Sequence, residues 1–200
     1  MSKANKKFDT YRLTGLAILT AIIIVLQVLS TMLVKATAVS ITFALVPIVI
    51  GAAMYGVGAG AYLGAVFGAI VAILIATGFD TTGIALWTAN PFMVVVLSIV
   101  KGAAAGFFAG LLFKAFEKKD QTLAVNLAAI VAPIANTGIF IIGMILFFNP
   151  LLTALAGGSN VLVFAITALA GVNFLIEFAI NLILSPIIVK ILYAVKKSTK

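Results

Sequence analysis

Asn173-Phe174-Leu175-Ile176-Glu177-Phe178-Ala179-Ile180-Asn181-Leu182-Ile183-Leu184-Ser185 is apolar except at every fourth position. A spacing of four places Asn173, Glu177, Asn181 and Ser185 on one face of a helix. The other faces are hydrophobic all round, as in a helix surrounded by lipid and by other helices. A carboxylate is costly there. It faces a cavity, a partner charge or a substrate path. Lys101, in an earlier apolar run, is the other ionisable group deep in such a segment.

Outward from this stretch the composition agrees. Of 200 residues, 64% are hydrophobic and 9% charged. A water-soluble domain cannot hide that much apolar surface, so the chain reads as an all-α, polytopic membrane protein. Residues 1–200 read as one integral membrane domain, with no soluble domain or long linker. The formal charge of +8 does not point to nucleic acid, because the basic residues lie at the ends of apolar runs. Cysteine and histidine are absent, which removes disulfides, the usual metal ligands, triad bases and the ordinary pH switch. No metal site is expected.

Six spans fit, near 11–34, 40–55, 58–77, 91–114, 122–148 and 165–193. The run over 11–34 is too long for a signal-peptide core of about 7–15 residues and reads as a retained first span. The second is short and contains Pro47. It meets the third at a tight turn, Tyr55-Gly56-Val57-Gly58. Residues 78–90 read as a polar loop with Asp80, Thr81, Thr82 and Trp87, the last an interface anchor or part of a lid. Residues 114–122 read as a charged loop, and 149–160 as a loop with Pro150, Gly157 and Gly158. Lys3, Lys6, Lys7, Arg12, Lys114, Lys118, Lys119, Lys190, Lys196, Lys197 and Lys200 then share one side, against Lys35 on the other. Excess Lys and Arg marks the cytoplasmic side, so both termini are expected in the cytoplasm.

Two glycine ladders, Gly56/Gly60/Gly64/Gly68 and Gly102/Gly106/Gly110, make flat strips on which another helix can lie closely. Internal bundle packing is the plainer reading and docking of a partner protein the sharper one. Spans four and six are parallel. Lys101 and Glu177 lie about ten and twelve residues below their starts, a depth of roughly 15–18 Å for both. They are expected to meet near the midplane, either as a structural pair or as holders of a polar ligand. Asn136-Thr137, between Pro133 and Gly138, suggests a loosened helix facing a cavity, or an interhelical hydrogen bond. Gln27 sits near the outer end of span one. Asn90, before Pro91, is an expected N-cap. No nucleophile elbow, carboxylate cluster or phosphate-binding Gly-x-x-x-x-Gly-Lys-[Ser/Thr] loop is present, so an enzyme is not expected and any pump needs its motor elsewhere.

The whole resembles the substrate-binding S components of energy-coupling factor (ECF) vitamin transporters. The likeness rests on length, six spans and a basic cytoplasmic rim, and on local stretches. These are Ala17-Ile18-Leu19-Thr20-Ala21, Ser40-Ile41-Thr42 through Pro47, Tyr55-Gly56, Asn90-Pro91-Phe92, Lys101-Gly102 and Asn136-Thr137-Gly138-Ile139-Phe140. Together they are most similar to the pantothenate-specific branch. The resemblance implies a vitamin-binding subunit of a bacterial plasma-membrane importer. Its partners would be a membrane coupling subunit and two cytosolic ATPases that use ATP; this chain itself would carry no cofactor. It further implies a pocket including Asn90, Lys101, Asn136, Thr137, Asn173 and Glu177, a lid over 34–39, and a docking strip at Ala17 and Ala21. Another water-soluble vitamin remains an alternative ligand. A small secondary carrier using Glu177 as a coupling site, or a scaffold that binds nothing, remains an alternative function.

Overall fold

The computed structural model of the chain describes residues 3–37 and 42–198. The described elements are all helical: α1 (Lys3–Thr37), α2 (Leu45–Tyr55), α3 (Val57–Ala76), a 3-10 turn (Thr81–Gly83), α4 (Ile84–Ala89), α5 (Pro91–Phe116), α6 (Gln121–Phe147), α7 (Asn149–Ala156), α8 (Val161–Phe164), a π-helical turn (Ala165–Gly171) and α9 (Val172–Ser198). Among the described residues five helices are long and apolar enough to cross a membrane: α1, α3, α5, α6 and α9. The count reaches six if the pair Asn149–Ala156 and Val161–Thr167, bent by 89°, is one span. The chain is therefore a multi-pass helical membrane bundle.

The helix boundaries follow local chemistry. Asn90 caps α5, its Oδ1 accepting the Met93 N–H at 3.1 Å, and Pro91 supplies a first residue that needs no donor. Asp120 caps α6, accepting from the N–H groups of Thr122 and Leu123. Gly56 joins α2 to α3 at a φ of 91°, a conformation that disfavours any residue with a Cβ. This is the tight turn expected from Tyr55-Gly56.

Three parts differ from the expectation. The segment expected to span over 40–55 contributes an 11-residue helix, α2. Its rise of about 16 Å is short of the roughly 30 Å hydrocarbon core. Leu45, Ile48 and Val49 on α2 are fully buried, so this uniformly apolar helix lies within the bundle. Residues 149–160, expected as a loop, contain α7, whose Leu152 is fully buried. The polar loop 78–90 contains the 3-10 turn and α4, and Trp87 packs against the main apolar core. Glycines punctuate both segments, with Pro150 in the second, but enough apolar residues lie between them to fold back on the bundle.

The glycine ladders meet each other. A Cβ added at Gly60 would collide with the Gly106 carbonyl, one at Gly64 with the Gly102 carbonyl, and one at Gly68 with the Ser98 carbonyl. Gly102 and Gly106 face Gly64 and Gly60 in return. The strips are thus used in internal packing, with the α3 and α5 backbones in direct contact. Gly64→Val should lower stability by about 1–3 kcal/mol or more, as overpacking does where backbone cannot yield. Gly58→Ala, which has open space at its Cβ position, should be nearly neutral. Thermal unfolding of the two purified variants checks the contrast.

Candidate functional site

A cavity of about 400 Å³ lies within the bundle. Its size falls in the range of roughly 300–1,000 Å³ typical of small-molecule sites. α1 lends Gln27, Ser30 and Thr31. Phe67, Val71 and Ile75 come from α3, and the 80–86 segment adds Asp80 and Thr82. Lys101 enters from α5, Asn136, Thr137 and Phe140 from α6, Leu151 and Leu155 from α7, and Asn173 and Glu177 from α9. Thr42 also reaches the wall.

Five of the six expected pocket residues, Lys101, Asn136, Thr137, Asn173 and Glu177, thus line one cavity. Asn90 does not; its carboxamide is spent on capping α5. Val34 to Thr37 of the expected lid belong to the last turn of α1. Ala38 and Val39 lie outside the described residues. Ala17 and Ala21 sit on the exposed outer face of α1.

The polar stripe on α9 divides in two. Asn173 and Glu177 reach the cavity. Asn181 turns back, its Nδ2 donating to the Glu177 carbonyl at 2.8 Å. The Ser185 hydroxyl lies 2.7 Å from Asn126 Oδ1 and 2.8 Å from the Leu182 carbonyl, tying α9 to α6. Only the first half of the stripe lines this cavity. Regular α9 begins at Val172, after the π-helical turn, and not at 165. A depth reckoned down a straight helix from 165 therefore does not apply to Glu177. A π turn widens a helix locally and redirects the side chains beyond it, here Asn173 and Glu177. The run Ala165-Ile166-Thr167-Ala168-Leu169-Ala170-Gly171 carries no proline and announces this irregularity weakly. α6, where loosening was expected, runs helically through Pro133.

The charges are arranged around open space. Lys101 Nζ lies 4.8 Å from the centre of the Phe140 ring, a cation–π contact. Glu177 and Asp80 both act on it electrostatically, yet among the described residues Lys101 forms no contact ion pair. Glu177, 8% exposed, accepts hydrogen bonds from the side chains of Thr42 and Asn136. Asp80 Oδ1 accepts from the Thr82 N–H at 3.0 Å and from its hydroxyl at 2.6 Å, which turns it toward its own loop. An ammonium carries three donors and no acceptor. Held by a ring face and by separated carboxylates, Lys101 keeps donors for an acceptor inside the cavity.

Ser30, Thr31, Thr42, Asp80 and Thr82 join the cavity wall beyond the residues expected there from sequence. Gln27, Ser30 and Thr31 did carry a signal. At i, i+3 and i+4 they share one face of an otherwise apolar helix, the same pattern that picked out Asn173 and Glu177. Thr42 and Asp80 had none, because the topology alone brings their loops over the cavity.

The family model for the ECF transporter, substrate-specific component, matches residues 11–189. The chain belongs to that family, whose members are binding and transport subunits that associate with ECF transmembrane and ATPase subunits. Comparison with curated proteins and with solved structures gives no match.

The spacing of Lys101 and Glu177 sets an expected outcome. Lys101→Met and Glu177→Gln should each lower the thermal stability of the unliganded protein, and the double variant should recover part of the loss. The coupling should be about 1 kcal/mol. Breaking a closed buried pair would cost about 3–5 kcal/mol. A double-mutant cycle on the purified protein measures this.

Proposed function

We propose that this chain captures pantothenate for an ECF-type importer. The observation that carries the reading is the cavity itself: among the described residues one ammonium, two carboxylates, three carboxamides and several hydroxyls converge in a chamber of about 400 Å³ within the bundle. Pantothenate offers one carboxylate, one amide and two hydroxyls. Lys101 is the match for its carboxylate. Asn136, Thr137 and Asn173 suit the amide and hydroxyls. Glu177 restrains Asn136 and balances Lys101.

The proposed arrangement in the membrane has six crossings with both termini in the cytoplasm, following the distribution of Lys and Arg. The membrane is the bacterial plasma membrane. A coupling subunit docks on the exposed strip at Ala17 and Ala21, and two cytosolic ATPases hydrolyse ATP. No phosphate-binding loop occurs in this sequence, which supports placing the motor in partners.

The isolated chain is expected to bind pantothenate without nucleotide and to be unable to accumulate it in vesicles. Calorimetry with a panel of vitamins and a vesicle uptake assay test the two halves. Binding of a different vitamin alone would replace the ligand and keep the class. Uptake by the purified chain without ATPases would favour a secondary carrier with Glu177 as its coupling site. Lys101→Met should weaken pantothenate binding about 10- to 100-fold, the range for a hydrogen bond to a charged group.

Docking has its own test. Ala17→Trp and Ala21→Trp add bulk to a strip on which close helix approach depends. They should abolish uptake by the complete transporter while changing ligand affinity less than about twofold, since neither side chain faces the cavity. Normal assembly and transport by both variants would remove the strip from the docking face.

A further inference from the structure

Three side chains around the cavity hold polar atoms that are buried and unpartnered among the described residues: Gln27 Oε1, Ser30 Oγ and Asn136 Oδ1. Gln27 is 6% exposed, Ser30 2% and Asn136 6%. All three residues line the cavity. An unpaired polar atom out of water is costly, and three of them around one chamber point to a ligand group that completes them.

Two of the three belong to α1. Gln27 Nε2 has a long contact of 3.4 Å with Thr31 Oγ1, and Thr31 in turn donates to the Gln27 carbonyl at 3.0 Å. Thr31 is therefore committed to its own helix. Whichever way the Gln27 carboxamide is turned, one of its polar atoms is left without a partner. A hydroxyl both donates and accepts, and so satisfies either orientation and Ser30 as well. Lys101 and Glu177, from α5 and α9, present charge to the same space.

We infer that Gln27 and Ser30 form a hydroxyl-recognising subsite, through which α1 contacts the ligand directly. The inference rests on the cavity being the vitamin site. The ligand spans the chamber: its carboxylate meets Lys101 and its hydroxyls meet α1. Asn136 Oδ1 takes a donor from the amide between them. The subsite provides discrimination. A ligand without the hydroxyls leaves Gln27 and Ser30 buried and unpaired, and is rejected for that reason.

The test uses the full chain in detergent, with pantothenate and with the same acid in which both hydroxyls are replaced by hydrogen. Wild-type protein should prefer pantothenate about 30-fold or more. Gln27→Met and Ser30→Ala should each weaken pantothenate binding about tenfold and leave the deoxygenated acid within about twofold. The melting temperature without ligand should stay level or rise, because each change removes an unpartnered polar atom. Unchanged pantothenate affinity in both variants overturns the subsite. So does an equal loss for both ligands, or a loss accompanied by a fall in unliganded melting temperature, which would mark a structural role. If wild-type protein ignores pantothenate but binds another vitamin, the ligand assignment falls alone. The two variants are then measured on that vitamin, where the same tenfold loss is required. If no vitamin binds, the vitamin site and the subsite fall together.

Discussion

The direct backbone contact between α3 and α5 is the constraint on which the cavity depends. Glycines on both helices leave no side chain at the seam, so the carbonyl of each helix sits where a Cβ would otherwise be. Hydrophobic attraction cannot draw helices together in lipid, and close van der Waals approach takes its place. Gly102 lies on that seam against Gly64, and Lys101 is its neighbour in sequence. The contact therefore sets the height and direction of the Lys101 ammonium in the cavity. A looser seam would leave that charge free to snorkel toward water, as lysines do where the bilayer allows it.

Around this fixed pair the polar groups obey a single rule: whatever is removed from water must be surrounded by protein. Ser185 meets the rule by bonding to helix backbone and to Asn126, and Asn181 meets it in part, its Nδ2 bonded to helix backbone while its Oδ1 has no partner among the described residues. Glu177 meets it with Thr42 and Asn136. Gln27, Ser30 and the Oδ1 of Asn136 do not meet it within the described residues, and all three border the same chamber.

α1 is divided between two environments. Leu19, Ile23, Gln27 and Ser30 are buried against the bundle, while Leu13, Ile18, Val25 and Leu29 are exposed along with Ala17 and Ala21. One rigid helix thus carries cavity-lining groups on one face and a smooth strip on another. The inner face is apolar near the strip and becomes polar toward Gln27 and Ser30, so the two features are also displaced along the axis.

The sequence alone determined that this is a helical membrane protein, and it marked Lys101, Asn136, Thr137, Asn173 and Glu177 of the polar cavity wall. Apolar runs of 20 residues and more admit no other solution, and a four-residue polar period inside such a run, as at Asn173 and Glu177, points inward. A lone charge deep in an apolar run reached Lys101, the bracketing Pro133 and Gly138 reached Asn136, and the spacing of Gln27, Ser30 and Thr31 carries the same four-residue signal. Tertiary structure decided the rest. Asn90 was spent as a cap and Asn181 as a backbone partner, because a polar side chain near its own helix backbone binds there first. α2 was buried as a short helix, and α7 folded back where punctuation suggested a loop, because both had apolar surface that neighbouring helices covered. Only three-dimensional packing could show that Lys101 and Glu177 flank open space without closing on each other. Helical spacing reports which way a side chain faces, whereas the distance across a cavity depends on every helix that walls it.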